Sequence, residues 1–130
     1  MSSVTRKPGD DPIISKSLGK GWWFIYSSAT DKGHGGVGFI VSPRFYSNIC
    51  GIFSINERIL HLKLKGVSDK FNSDMFCVYS PTSAINTPEN VIDNFYSTLS
   101  HAIEPIPSRN MLIILGDWNA MLLKSPSYPN

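Results

Sequence analysis

Asp117 and Asn119, in the stretch Gly116-Asp117-Trp118-Asn119-Ala120, have the types and spacing best suited to chemistry in this sequence. An acid and an amide separated by one residue lie on the same side of an extended chain. The carboxylate can orient or deprotonate a water, while the carboxamide donates a hydrogen bond to a phosphate oxygen without the repulsion of a second acid. The same pattern has a purely structural use, because Asp-x-Asn after a strand commonly forms a turn or an Asx cap. A second polar cluster, Tyr79-Ser80-Pro81-Thr82, offers a phenol and two hydroxyls beside a proline that stiffens the chain.

Both clusters follow apolar runs, Met75–Tyr79 and Met111–Leu115, whose near-continuous hydrophobicity predicts central strands covered on both faces. In an α/β sheet, residues just past the carboxyl ends of such strands share one crevice, the usual place for a ligand. Gly116 at the second exit permits a backbone angle closed to other residues. One helix lies between the runs. Thr87 is placed to cap it, Pro88 suits its first turn, and Glu89 complements the positive end of the dipole. Val91, Ile92, Phe95, Leu99, Ala102 and Ile103 share a face at helical spacing, and Pro105 and Pro107 end the segment. The helix therefore packs on the sheet and joins two neighbouring strands.

Upstream, Trp22–Tyr26 and Val37–Val41 flank a turn-rich segment and predict an antiparallel pair. Arg58–Lys65 alternates, with Leu60, Leu62 and Leu64 on one side and His61, Lys63 and Lys65 on the other, which predicts a half-exposed strand. His61 and His101 are expected at the surface, and Arg58, Lys63 and Lys65 form a modest basic stripe on the wet side of the sheet. His34 sits in Lys32-Gly33-His34-Gly35-Gly36, read as a hairpin loop because no phosphate-loop pattern surrounds it. Residues 1–18 are polar and lack a sustained apolar period, which predicts a disordered tail ahead of a domain over residues 19–130.

A chain of 130 residues with 42% apolar content has room for one globular domain. Lys+Arg 12 against Asp+Glu 10 leaves a net charge of +2, so composition neither implies nor excludes a nucleic-acid partner. Cys50 and Cys77 lie in apolar surroundings without CxxC spacing and are expected as buried free thiols. No window reaches the roughly 20 apolar residues of a membrane helix, and the first residues lack the apolar core of a secretory signal. The expected location is intracellular, in nucleus or cytoplasm.

Five stretches in this order resemble the endonuclease/exonuclease/phosphatase superfamily, and within it the endonuclease domains of RTE-type non-LTR retrotransposons. They are GGVGFIVSP at Gly35–Pro43, ILHLKLKG at Ile59–Gly66, YSPT at Tyr79–Thr82, the helix carrying Asn94-Phe95-Tyr96, and LIILGDWNA at Leu112–Ala120. The Gly-Asp-aromatic-Asn at the last strand end is the most specific of them, and the likeness runs from about Gly21 to Ala120. It implies a two-sheet α/β sandwich, here partial, that hydrolyses phosphodiesters with magnesium and takes DNA as its partner. The implied roles are Asp117 for the attacking water and as a metal ligand, Asn119 for the scissile phosphate, and Tyr79 for the phosphate and metal network. Thr82 would contact substrate, although several relatives carry Asn there.

The family pattern also has an early Gln-Glu-Thr segment whose Glu is a principal metal ligand, and late Asp and Ser-Asp-His segments. This sequence has no counterpart of either. A hard cation takes about six oxygen ligands, so Asp117 alone anchors it poorly. The resemblance therefore implies a phosphodiesterase fragment, inactive as an isolated chain. The competing reading is a degenerate, non-enzymatic product or interaction module that self-associates through its exposed sheet.

Overall fold

The computed structural model describes residues 13–27, 37–66, 71–81 and 87–118. They form a mixed α/β arrangement of two sheets with few helices. The three-stranded sheet has the order β1 (Ile13–Gly19), β2 (Trp22–Ser27), β3 (Gly38–Val41). The four-stranded sheet runs β4 (Ile49–Asn56), β5 (Ile59–Leu64), β6 (Ser73–Tyr79), β7 (Met111–Asp117). A short helix, α1 (Pro43–Tyr46), follows β3, and α2 (Glu89–Ile103) connects β6 to β7.

The expected antiparallel pair forms, with Trp23 opposite Val41 and Tyr26 opposite Gly38. The polar lead-in is shorter than expected, because Ile13–Gly19 pairs with β2 as an edge strand. Lys20 (φ 56°) and Gly21 (φ 87°) form the tight reversal between them, and positive φ at both positions matches the right-handed twist of a hairpin. At the end of β3, Ser42 Oγ accepts from Phe45 N–H (3.4 Å) to cap α1, and this places the Tyr46 ring flat on Trp23, 4.9 Å between centroids.

The four-stranded sheet is covered on two sides by different layers. Ile59, Phe76 and Val78 meet Phe95 and Leu99 of α2, with Ile114 and Trp118 packed alongside. On the other face Leu62 and Leu64 meet Ile25 and Val41 of the three-stranded sheet. The helix face foreseen from the spacing is therefore used, centred on Phe95 and Leu99. The cap is different: Pro88 occupies the N-cap position and no side chain caps the helix, so Thr87 does not play the predicted part.

Two strand assignments are corrected. The alternation of β5 is present, but its polar side is not wet: His61 is only 9% exposed, lying under the Phe53 and Phe76 rings. Among the described residues β7 is not a central strand: it pairs with β6 in parallel and stands at the edge of the sheet, with Met111, Leu112 and Leu115 exposed. Among those residues, the continuous hydrophobicity of β7 does not mark burial on both faces. Cys50 is exposed and Cys77 half-buried, both as free thiols, rather than buried as expected. Burial raises the Cys77 thiol pKa, partly offset by a backbone hydrogen bond from Gly38. No helix among the described residues is long and apolar enough to cross a membrane.

Candidate functional site

Parallel pairing of β6 and β7 brings Tyr79 and Asp117 directly opposite one another at the carboxyl ends of the two strands. Paired residues of neighbouring strands point to the same face, so phenol and carboxylate share one side of the sheet end. The ladder continues one step beyond them, with Ser80 N–H donating to the Asp117 carbonyl (2.9 Å). Tyr79 is half-buried and Asp117 exposed. Asn119 and Thr82 lie outside the described residues, as does His34.

Gly116 makes this geometry possible. Its φ of 151° and its approach to Val78 leave no room for a side chain: a Cβ there would overlap the Val78 carbonyl oxygen and lie 2.9 Å from Val78 Cγ2. Trp118 packs against the α2 layer, stacked on Tyr96 (6.4 Å, 10°) and edge-on to Phe95 (6.3 Å). In an extended chain neighbours alternate, so anchoring the indole on the helix side holds Asp117 on the other.

Arg58 is a part of the site that sequence spacing did not single out. It stands in the two-residue turn between β4 and β5, where Asn56 Oδ1 accepts from its backbone N–H (2.8 Å). Tyr79 N–H donates to the Arg58 carbonyl (2.9 Å), and Arg58 Nη1 donates to the Tyr79 carbonyl (3.0 Å). The guanidinium carbon lies 5.3 Å from the centre of the Tyr79 ring. The predicted basic stripe is thus divided: Arg58 grips Tyr79, Lys63 stands opposite Asp74 in the strand register at the far end of β5, and Lys65 is exposed beyond it. Ser80 is 2% exposed and its hydroxyl donates to the Pro81 carbonyl (3.0 Å), so it is not an open group in the crevice. His101 is exposed, as expected.

A second polar cluster, unpredicted, lies at the other end of the same strands. His61 Nε2 and Asp74 Oδ1 are 2.7 Å apart, and Asn110 Nδ2 donates to Asp74 Oδ2 (2.8 Å). Burial lowers the His61 pKa, and the hydrogen bond and charge of Asp74 offset this in part. The only sequence sign of the pair was a His and an Asp on adjacent strands, and one sequence does not show which residues face one another.

Among the described residues no group of three or more His, Cys, Asp or Glu is assembled. Asp117 offers one carboxylate against the several oxygen ligands that magnesium requires, so the described donor set does not fit a resident magnesium ion.

Over 98 residues, 75% of this chain, the sequence is 32% identical to craniofacial development protein 2 of Tragulus javanicus. It is 32% identical to the Bos taurus protein of the same name over the same length. The chain spans 16% of the length of each of these relatives. No family model matches the chain, and no solved structure matches it.

Proposed function

We propose that this chain carries the water- and phosphate-handling part of a phosphodiesterase site of the endonuclease/exonuclease/phosphatase superfamily, retrotransposon-derived and directed at DNA. The observation that carries the reading is the direct pairing of Tyr79 with Asp117 at parallel strand ends, in the segment bearing the Gly-Asp-aromatic-Asn pattern. Similarity to craniofacial development protein 2 over three-quarters of the chain supports it. In this reading Asp117 orients or deprotonates the attacking water and Asn119 donates to the scissile phosphate. Tyr79 and Thr82 line the phosphate's path, and Arg58 stiffens Tyr79 from behind.

Magnesium, which the resemblance implies, would offset charge on the phosphate, but the described donors do not hold it. Turnover by the isolated chain is accordingly negligible. The test combines binding and cleavage on the full chain. Titration with a short DNA duplex, followed by amide NMR, shifts the signals of Tyr79, Ser80, Gly116 and Asp117 first. Nicking of supercoiled plasmid with magnesium stays at the level of the Asp117→Ala variant. Saturating DNA that leaves those signals unmoved refutes the site, and nicking that Asp117→Ala abolishes refutes the inactivity.

A further inference from the structure

We propose that Arg58 binds the phosphate next to the scissile one, so that the site takes a DNA strand through two consecutive phosphates. The inference rests on the phosphodiesterase reading, which gives the scissile phosphate to the strand end at Asp117.

Register sets three side chains in one row across the end of the four-stranded sheet. Ile59 of β5 stands opposite Val78 of β6, so the next pair is Arg58 with Tyr79, and Tyr79 in turn stands opposite Asp117 of β7. The hydrogen bond from Tyr79 N–H to the Arg58 carbonyl (2.9 Å) closes that step of the ladder. Directly opposed residues point to one face of a sheet, and the guanidinium carbon, 5.3 Å from the centre of the Tyr79 ring, agrees with this. The row reads cation, phenol, carboxylate, and two inter-strand spacings, about 10 Å, separate its outer members along the backbone. With Tyr79 between them, the carboxylate and the guanidinium serve different phosphates, one at the attacked bond and the other its neighbour on the same strand.

Arg58 is suited to that second phosphate in charge and in geometry. Of Arg58, Lys63 and Lys65, only Arg58 stands at this end of β5. Its Nη1 donates to the Tyr79 carbonyl (3.0 Å) and its guanidinium lies over the Tyr79 ring. Neither contact neutralises the positive charge. A guanidinium carries several further N–H donors in a planar fork, the geometry that grips two phosphate oxygens at once. The backbone beneath is fixed by Asn56 Oδ1, which accepts from Arg58 N–H (2.8 Å), and the side chain is half-buried. The fork is thus held in place before a ligand arrives, which lowers the cost of ordering it on binding.

The experiment is an amide NMR titration of the full chain, without metal, using TpT, which has one phosphate, and TpTpT, which has two. In the native chain the second phosphate tightens binding by roughly fivefold. In Arg58→Met that gain falls below about twofold, whereas Lys65→Met, which removes a charge from the other end of β5, keeps it. Arg58→Lys regains most of the gain, because it restores the charge. Circular dichroism confirms the fold of each variant. Signals of Tyr79 and Asp117 that move with both probes while the gain is the same in Arg58→Met overturn the role of Arg58 and leave the site standing. A gain that Lys65→Met removes equally, or that Arg58→Lys does not recover, also overturns it. Signals at the strand ends that neither probe moves overturn both readings.

Discussion

His61 Nε2 lies 2.7 Å from Asp74 Oδ1 across the adjacent strands β5 and β6, and Asp74 is wholly buried. The second carboxylate oxygen accepts from Asn110 at 2.8 Å, so one acid ties two strands to the turn that leads into β7. Replacing Asp74 by alanine strands the imidazole and the amide together. Removing one partner from a buried hydrogen-bonded cluster is costly because the groups left behind stay desolvated without compensation. With two groups stranded, Asp74→Ala is expected to destabilise the fold by about 3 kcal/mol in urea unfolding. A loss under half that size would show that water replaces the carboxylate there.

The same pair sets a pH dependence. The folded-state pKa of His61 is lowered from its ordinary 6.5, chiefly by burial. Between the folded pKa and 6.5 the unfolded chain therefore binds more protons at this site than the folded one, and stability rises with pH. The contribution is fully present above 6.5 and is lost as pH falls toward the folded value. Thermal unfolding should therefore occur at a lower temperature near pH 5 than near pH 7.5, and His61→Gln should reduce that difference. Equal pH sensitivity in the variant would assign the effect to other groups.

The parts of the fold legible in the sequence were those whose signal is local. The helix over Glu89–Ile103, the pairing of Trp22–Tyr26 with the strand ending at Val41, and the alternation of Ile59–Leu64 follow from periodicity and turn residues. β4 was not anticipated, because Gly51 and Ser54 interrupt its apolar run and the strand shifts register twice. β1 was read as tail because Ile13 and Ile14 are followed by Ser, Lys and Ser, a composition that strand pairing overrides. Exposure was the least legible property: a continuous apolar run does not distinguish a central strand from an open edge, and a polar alternate such as His61 does not reveal a covering layer. The meeting of Tyr79 with Asp117 was legible because strand polarity alone puts both exits at one end. The Arg58 contact required knowing which turn abuts which strand.

Arg58 grips the exit of β6 through a hydrogen bond to the Tyr79 carbonyl and its position over the Tyr79 ring. Lysine keeps the charge but loses the planar fork that serves both contacts. Arg58→Ala should cost about 1–2 kcal/mol, and Arg58→Lys should recover less than half of it. Amide exchange at Tyr79 and Ser80 should quicken in both variants, which chemical denaturation with hydrogen exchange would register. Unchanged exchange at those amides would mean the exit is held by the ladder alone.

Gly116 makes the sharpest prediction about the candidate site, because two independent constraints meet at one residue. Its φ of 151° is one that side-chain-bearing residues rarely adopt, and an added Cβ would overlap the Val78 carbonyl oxygen. That oxygen belongs to the neighbouring backbone in the middle of the core and has no flexible end to turn aside. Gly116→Ala must therefore either part β6 from β7 at their carboxyl ends or rotate the peptide before Asp117. Strain of this kind costs on the order of 3 kcal/mol, well above an ordinary glycine-to-alanine exchange. Amide NMR of the variant should show the pairing of Met75 with Ile113 retained and that of Tyr79 with Asp117 lost, together with a lower unfolding midpoint. An alanine variant with native stability and an intact Tyr79–Asp117 pairing would mean that the close approach of Gly116 to Val78 is not what brings those two residues together.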